Sequence, residues 1–158
     1  MQVYSNRTQN PLIAIAEIRG SSNYPEIKGT VIFKTKNNGI IVTAEIWGLP
    51  HTNDKCNDDI FAFHIHNGTS CTGNFMDNFA NAGAHYNPNN CKHPTHAGDL
   101  PPFFGNNGYA YLSTYTNKFT IKEIIGKVII IHDKPDDFKT QPSGNSGNKI
   151  ACGKILHF

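Results

Sequence analysis

Residues 27–48 read Ile27-Lys28-Gly29-Thr30-Val31-Ile32-Phe33-Lys34-Thr35-Lys36-Asn37-Asn38-Gly39-Ile40-Ile41-Val42-Thr43-Ala44-Glu45-Ile46-Trp47-Gly48. Successive side chains of a strand point to opposite faces, so Ile27, Gly29, Val31 and Phe33 fall on one side and Lys28, Thr30, Ile32 and Lys34 on the other. Past Lys36 the alternation resumes, with Val42, Ala44 and Ile46 opposed to Thr43, Glu45 and Trp47. Asn37-Asn38-Gly39 tolerates positive φ and predicts a tight hairpin between the two runs. Residues 12–19, 60–66, 109–116, 127–132 and 149–156 are likewise rich in Ile, Val, Phe and Tyr, and Asn106-Asn107-Gly108 marks another turn. Helical periodicity is confined to a short stretch at Ile121–Ile125. The pattern predicts an all-β protein, an antiparallel Greek-key β-sandwich or flattened barrel of about eight strands.

Two segments, 67–104 and 133–148, have almost no apolar pattern and are dense in Gly, Pro, Asn and Ser. Loops this long within a compact domain are usually functional or stapled by something else. With 158 residues, the chain is expected to form a single domain over 1–158, with 1–10 as a loose N-terminal extension. The net charge of +2, with no run of Lys or Arg beyond two, argues against a nucleic-acid arm or a polybasic membrane patch. No stretch approaches membrane-spanning length. The first apolar stretch is broken by Glu17 and Arg19 and carries no leader pattern. A cytoplasmic location is therefore expected, or an exported one if a leader lies outside this sequence.

The chemistry gathers between Asn53 and Asp99, where five acids face two lysines and five of the eight histidines lie. In Phe61-Ala62-Phe63-His64-Ile65-His66, the two imidazoles share one face of a strand while Phe61, Phe63 and Ile65 fill the other. Parallel imidazoles on a rigid strand suit copper or zinc. Downstream, His85, His93, His96 and Asp99 follow at gaps of eight, three and three, a donor set able to close a tetrahedral site of the structural zinc type. His132 ends the apolar run Val128–Ile131 and opens the second long segment. Cys56, Cys71, Cys91 and Cys152 form an even set that permits two disulfides in three connectivities.

The segments FHIHNGTSC, GAHYNP, HPTHAGDLP, VIIIHDKPDDF and GNSGNKIACGKI together resemble those of copper/zinc superoxide dismutase, especially its bacterial forms. The resemblance runs from about Leu12 to Ile155. It implies one copper and one zinc ion per chain: copper on His64, His66, His85 and His132, and zinc on His85, His93, His96 and Asp99, with the His85 imidazole bridging. It implies dismutation of superoxide to O2 and hydrogen peroxide as copper alternates between two oxidation states, while zinc holds His85 and orders the loop. Asp136 matches a carboxylate that accepts hydrogen bonds from His64 and His93, orienting both rings. Cys71 and Cys152 match the family's intrachain disulfide. Both monomers and homodimers occur in the family.

Two features stand outside the family pattern. Cys56 and Cys91 flank the copper strand and the zinc loop, and a second disulfide is expected between them. Lys149 stands where the family usually places an arginine beside the copper. It keeps the positive charge and loses the planar, two-pronged hydrogen bonding, and it is expected to attract superoxide. The rival reading is a copper-binding or structural protein of the same fold with little turnover. A cupin-type jelly roll also uses H-x-H on a strand, but its sites normally have a glutamate close behind, and here Asn67-Gly68-Thr69-Ser70-Cys71 follows.

Overall fold

The computed structural model describes residues 12–54, 56 and 59–158, so the extension expected at 1–10 lies outside the described residues. Its strands are β1 (Ile13–Gly20), β2 (Lys28–Lys36), β3 (Gly39–Trp47), β4 (Ile60–His66), β5 (Asp99–Phe104), β6 (Ala110–Thr116), β7 (Val128–His132) and β8 (Lys149–His157), with one short helix, α1 (Ile121–Ile124). The hairpin expected at Asn37-Asn38-Gly39 forms between β2 and β3, with Thr30 opposite Glu45, Lys36 opposite Gly39, and Asn37 at a φ of 52°. Val31 and Phe33 of β2 and Val42, Ala44 and Ile46 of β3 are fully buried, on the face that the alternation selects.

The sheet order is β5-β4-β7-β8-β1-β2-β3-β6. Every pairing is antiparallel. β3 lies beside β6 and β4 beside β7, so the chain crosses over twice in the Greek-key manner. The two edge strands, β5 and β6, also approach each other and nearly close the barrel.

β5 lies within the segment expected to be loop. Pro101 and Pro102 mask it, since proline cannot donate to a ladder and is confined to edges and bulges. Both conditions hold here: β5 is an edge strand, and its pairing with β4 shifts register between Phe61 and Phe63, where the two prolines lie opposite. Ala62, at that shift, instead donates its N–H to the Lys134 carbonyl at 2.9 Å, which ties the second long loop to β4.

Apolar side chains pack in two clusters. The main one fills the barrel with Phe33, Phe63, Ile65, Ile129 and Ile131 among others. The second lies on the other face of β7, where Val128 and Ile130 pack with Cys152 against Phe79 and Ala82 of the first long loop. β7 thus reads as an unbroken apolar run because both of its faces are covered. Cys71 and Cys152 form a disulfide across 81 residues, fastening that loop to β8.

The second disulfide does not form: Cys56 and Cys91 are free and exposed. Each is held in its own local turn. The Cys56 N–H bonds to Asp54 and the Cys91 N–H to Asn87, both at 2.9 Å.

Cys152→Ser is expected to lower stability by about 2–4 kcal/mol, because the bond constrains a long loop in the unfolded chain. Cys56→Ser, at an exposed free thiol, should stay within about 0.5 kcal/mol. Urea unfolding of the two variants against wild type checks both values.

Candidate metal centre

β4 projects Phe61, Phe63 and Ile65 into the core and leaves His64 and His66 on the opposite face, under the first long loop. Backbone hydrogen bonds fasten that loop to β4. Tyr86 N–H bonds to the Ile65 carbonyl at 2.8 Å, Gly98 N–H to Tyr86 at 2.8 Å, and Ile65 N–H to Gly98 at 2.9 Å. Gly98 permits this close approach, since a Cβ there would lie 2.3 Å from the Ile65 carbonyl oxygen. His85 is thereby paired with His66 across an isolated bridge, and Asp99 falls opposite His64. His132, at the end of β7, completes the gathering from the neighbouring strand.

The result is two groups of donors sharing His85: His64, His66, His85 and His132, and His85, His93, His96 and Asp99. All six histidines are buried. Within each group, one donor atom per residue lies within 4.8 Å of every other.

The proton positions follow from the outward-facing partners. Asp136 accepts from His64 Nε2 and from His93 Nε2, each at 2.8 Å. His66 Nδ1 donates to the Gly83 carbonyl at 2.7 Å and His132 Nδ1 to the Gly147 carbonyl at 3.4 Å. The nitrogen left over on each ring points inward. His66 Nε2 and His132 Nε2 stand 3.3 Å apart, and His64 Nδ1, His85 Nε2, His93 Nδ1 and His96 Nδ1 are buried with no hydrogen-bond partner. Asp99 turns its carboxylate into the second group, with Oδ1 2.8 Å from His85 Nδ1 and Oδ2 3.1 and 3.3 Å from His93 Nδ1 and His96 Nδ1.

Buried bare nitrogens and a carboxylate converging on one place are costly unless a cation sits among them. The residues therefore fit metal ions at both places. Three imidazoles and one carboxylate form a closed set of the structural zinc kind. Four imidazoles suit copper, and a cavity of about 340 Å3, lined in part by His66, His85, His132 and Lys149, opens beside them.

Titration favours the same state. Burial pushes the His132 imidazole down to about 3. It also pushes His66 well below its ordinary value and lowers His64, despite the hydrogen bond to Asp136. Burial opposes ionisation of Asp136, yet hydrogen bonds from His64, the Phe138 backbone and His93 hold it at about 2. His64, His66 and His132 are therefore neutral near neutral pH, each with one nitrogen free to bind a cation, and Asp136 is an anion.

Two residues that the sequence does not flag support this arrangement. Gln141 bonds His93 on both sides, accepting from its backbone N–H at 3.0 Å and donating to its carbonyl at 2.7 Å. Gly144, at a φ of 68°, lets the backbone pass so close that a Cβ there would lie 2.0 Å from Asp136 Oδ1 and 2.6 Å from His93 Nε2. Lys149 reaches the cavity wall, and its ammonium is paired with Asp77 Oδ2 at 2.6 Å. His51 and His157 are exposed and belong to neither group.

A Greek-key barrel with two adjoining metal sites that share one imidazole defines a binuclear metalloprotein. The family model for copper/zinc superoxide dismutase matches residues 27–155. The chain is 30% identical to superoxide dismutase [Cu-Zn] 2 of Aquifex aeolicus, covering 88% of this chain and 87% of that protein. It is 29% identical to superoxide dismutase [Cu-Zn] A of Xenopus laevis, over 90% and 95%, and 31% identical to superoxide dismutase [Cu-Zn] of Photobacterium leiognathi, over 80% and 78%. The chain belongs to the copper/zinc superoxide dismutase family.

Gly144→Ala is expected to dislodge Asp136 and weaken metal binding about ten- to a hundredfold, as loss of an orienting partner does; competition with a chelator measures it. A second expectation concerns the metal-free protein. The unfolded chain takes up protons near the ordinary histidine value of 6.5, while folded His132 does so only at about 3. The stability contributed by its neutrality is thus present above pH 6.5 and lost as pH falls towards 3. His64 and His66 shift in the same direction. Urea midpoints of the metal-free protein should fall between pH 7.5 and pH 5, and a flat profile would contradict the assignment.

Proposed function

We propose that His64, His66, His85 and His132 hold copper, that His85, His93, His96 and Asp99 hold zinc, and that the centre dismutes superoxide under the guidance of Lys149. The observation that carries this is the shared His85. Its two ring nitrogens face different donor groups, Nδ1 towards Asp99 and Nε2 unpartnered among the other imidazoles. When bound, copper supplies one-electron oxidation and reduction, and zinc supplies fixed positive charge without redox.

The chain's own groups provide the rest. His64, His66 and His132 each have one nitrogen committed to an outer acceptor, which locks the tautomer and keeps the inward nitrogen free of a proton. His85 differs, because neither of its nitrogens has such an outer acceptor, so it is the imidazole able to hold a proton at Nε2 and release it. Two superoxide anions and two protons give one O2 and one hydrogen peroxide, and His85 Nε2 supplies one of those protons beside the cavity. Asp99 faces Nδ1 and keeps the ring in place throughout. Lys149 presents a cation at the cavity wall, which favours the approach of a small anion. The first long loop, stitched to β4 over His64 and His66, covers the buried rings.

The Cys71–Cys152 disulfide supports work in an oxidising compartment, since such bonds persist there. No helix among the described residues is long and apolar enough to cross a membrane.

The test is superoxide consumption by protein loaded with copper and zinc, set against His132→Ala and Lys149→Gln. His132→Ala should lose copper and most activity while retaining zinc. Lys149→Gln should keep both metals, consume superoxide several-fold more slowly at low salt and show a flatter salt dependence. Full loading with no turnover in the wild type would favour a metal-binding protein over an enzyme.

A further inference from the structure

Lys149 stands on the wall between two cavities. One, of about 340 Å3, it shares with His66, His85 and His132, and the other, of about 560 Å3, it shares with Asp77. An ammonium has three protons to donate. Two are engaged by the first long loop: Asp77 Oδ2 accepts at 2.6 Å and the Phe79 carbonyl at 3.3 Å. Asp77 is itself fixed, its N–H bonded to Asn74 Oδ1 at 3.1 Å and its Oδ1 accepting from the Phe79 N–H at 2.9 Å. The Lys149 and Asp77 side chains are only 17% and 38% exposed, so the pair is shielded more than a free surface pair would be. Burial raises the Asp77 carboxyl, but the hydrogen bond and charge of Lys149 bring it below the usual carboxylate range, so it is an anion at neutral pH.

We propose that Asp77 is a positioning residue that holds the Lys149 ammonium and competes with an arriving small anion for it, so that the two residues together set the strength of the cation at the metal cavity. The inference rests on the reading of Lys149 given above. Its physical basis is the balance of charge. A lone ammonium attracts an anion as one over distance, whereas an ammonium 2.6 Å from a carboxylate acts as a dipole whose pull falls off faster. An arriving anion must draw the remaining N–H towards itself against the pull of Asp77. Asparagine at position 77 keeps an oxygen to accept from Lys149 and removes the charge.

Azide, a small monovalent anion, serves as the probe. The copper- and zinc-loaded protein is titrated at low ionic strength and followed by its visible absorption, a binding readout separate from turnover. Asp77→Asn is expected to lower the azide Kd by about three- to tenfold, a gain that added salt erodes. In the Lys149→Gln background the same change should act by less than about twofold, because the group that transmits it is gone. Asp77→Ser removes the same charge and gives the same direction of change should the asparagine variant fail to load metal.

An unchanged or higher Kd in whichever variant loads metal overturns the role of Asp77, and so does an equal gain in both backgrounds. A wild-type Kd in Lys149→Gln alone overturns the assignment of Lys149 itself, a separate failure because Asp77 is untouched in that variant.

Discussion

The Asp136 carboxylate holds two imidazoles at once, and the rest of the centre depends on that. One oxygen takes His64 from a rigid strand and the other takes His93 from a long loop, each at 2.8 Å. Because both rings donate through Nε2, both must offer Nδ1 inward, one to each group of donors. A single anion therefore fixes two tautomers, two ring planes and the spacing between neighbouring sites. It can do so only because the second loop is brought to β4 through Ala62 and Lys134, and because Gly144 leaves room for the carboxylate. Gln141 then ties the backbone of His93 to the same loop, so the two long loops meet at one histidine.

This geometry stores a penalty in the protein without metal. Four buried ring nitrogens lack partners, and one carboxylate faces three imidazoles. The fold bears that penalty through the barrel core, the backbone bonds between β4 and the first loop, and the covalent tie from Cys71 to Cys152. Metal binding and folding are consequently linked, since ions that bind only the gathered donors stabilise the gathered state.

How much of this was legible in the sequence depends on whether a residue's task is local. Alternation in β2 and β3, and runs rich in Ile, Val, Phe and Tyr in five others, mark seven of the strands, because apolar burial is a local pattern. β5 was hidden because Pro101 and Pro102 obscure that pattern, and its register shift against β4 appears only in the pairing. His64 and His66 declare themselves by spacing on a strand, and His93, His96 and Asp99 by spacing in a loop. Asp136 needed the family resemblance, as nothing beside it in sequence distinguishes it from Asp133 or Asp137. Gln141, Gly144 and Asp77 act on partners far along the chain, and a glutamine, a turn glycine or a loop acid carries no mark of such a partner. Cys56 and Cys91 stay free although the count of cysteines is even, because an even count says nothing about where thiols point.

Those two thiols give the molecule a property unrelated to its chemistry. The other cysteine pair is oxidised, so alkylating reagents meet two exposed sulfurs among the described residues, one just before β4 and one just before His93. One site lies beside the rigid strand and the other on the loop that contributes the second donor group. A pair of spin or fluorescent labels placed there would span the distance between that strand and that loop. The wild-type chain thus carries its own ruler between the strand and the loop of the centre, with no cysteine to add or remove.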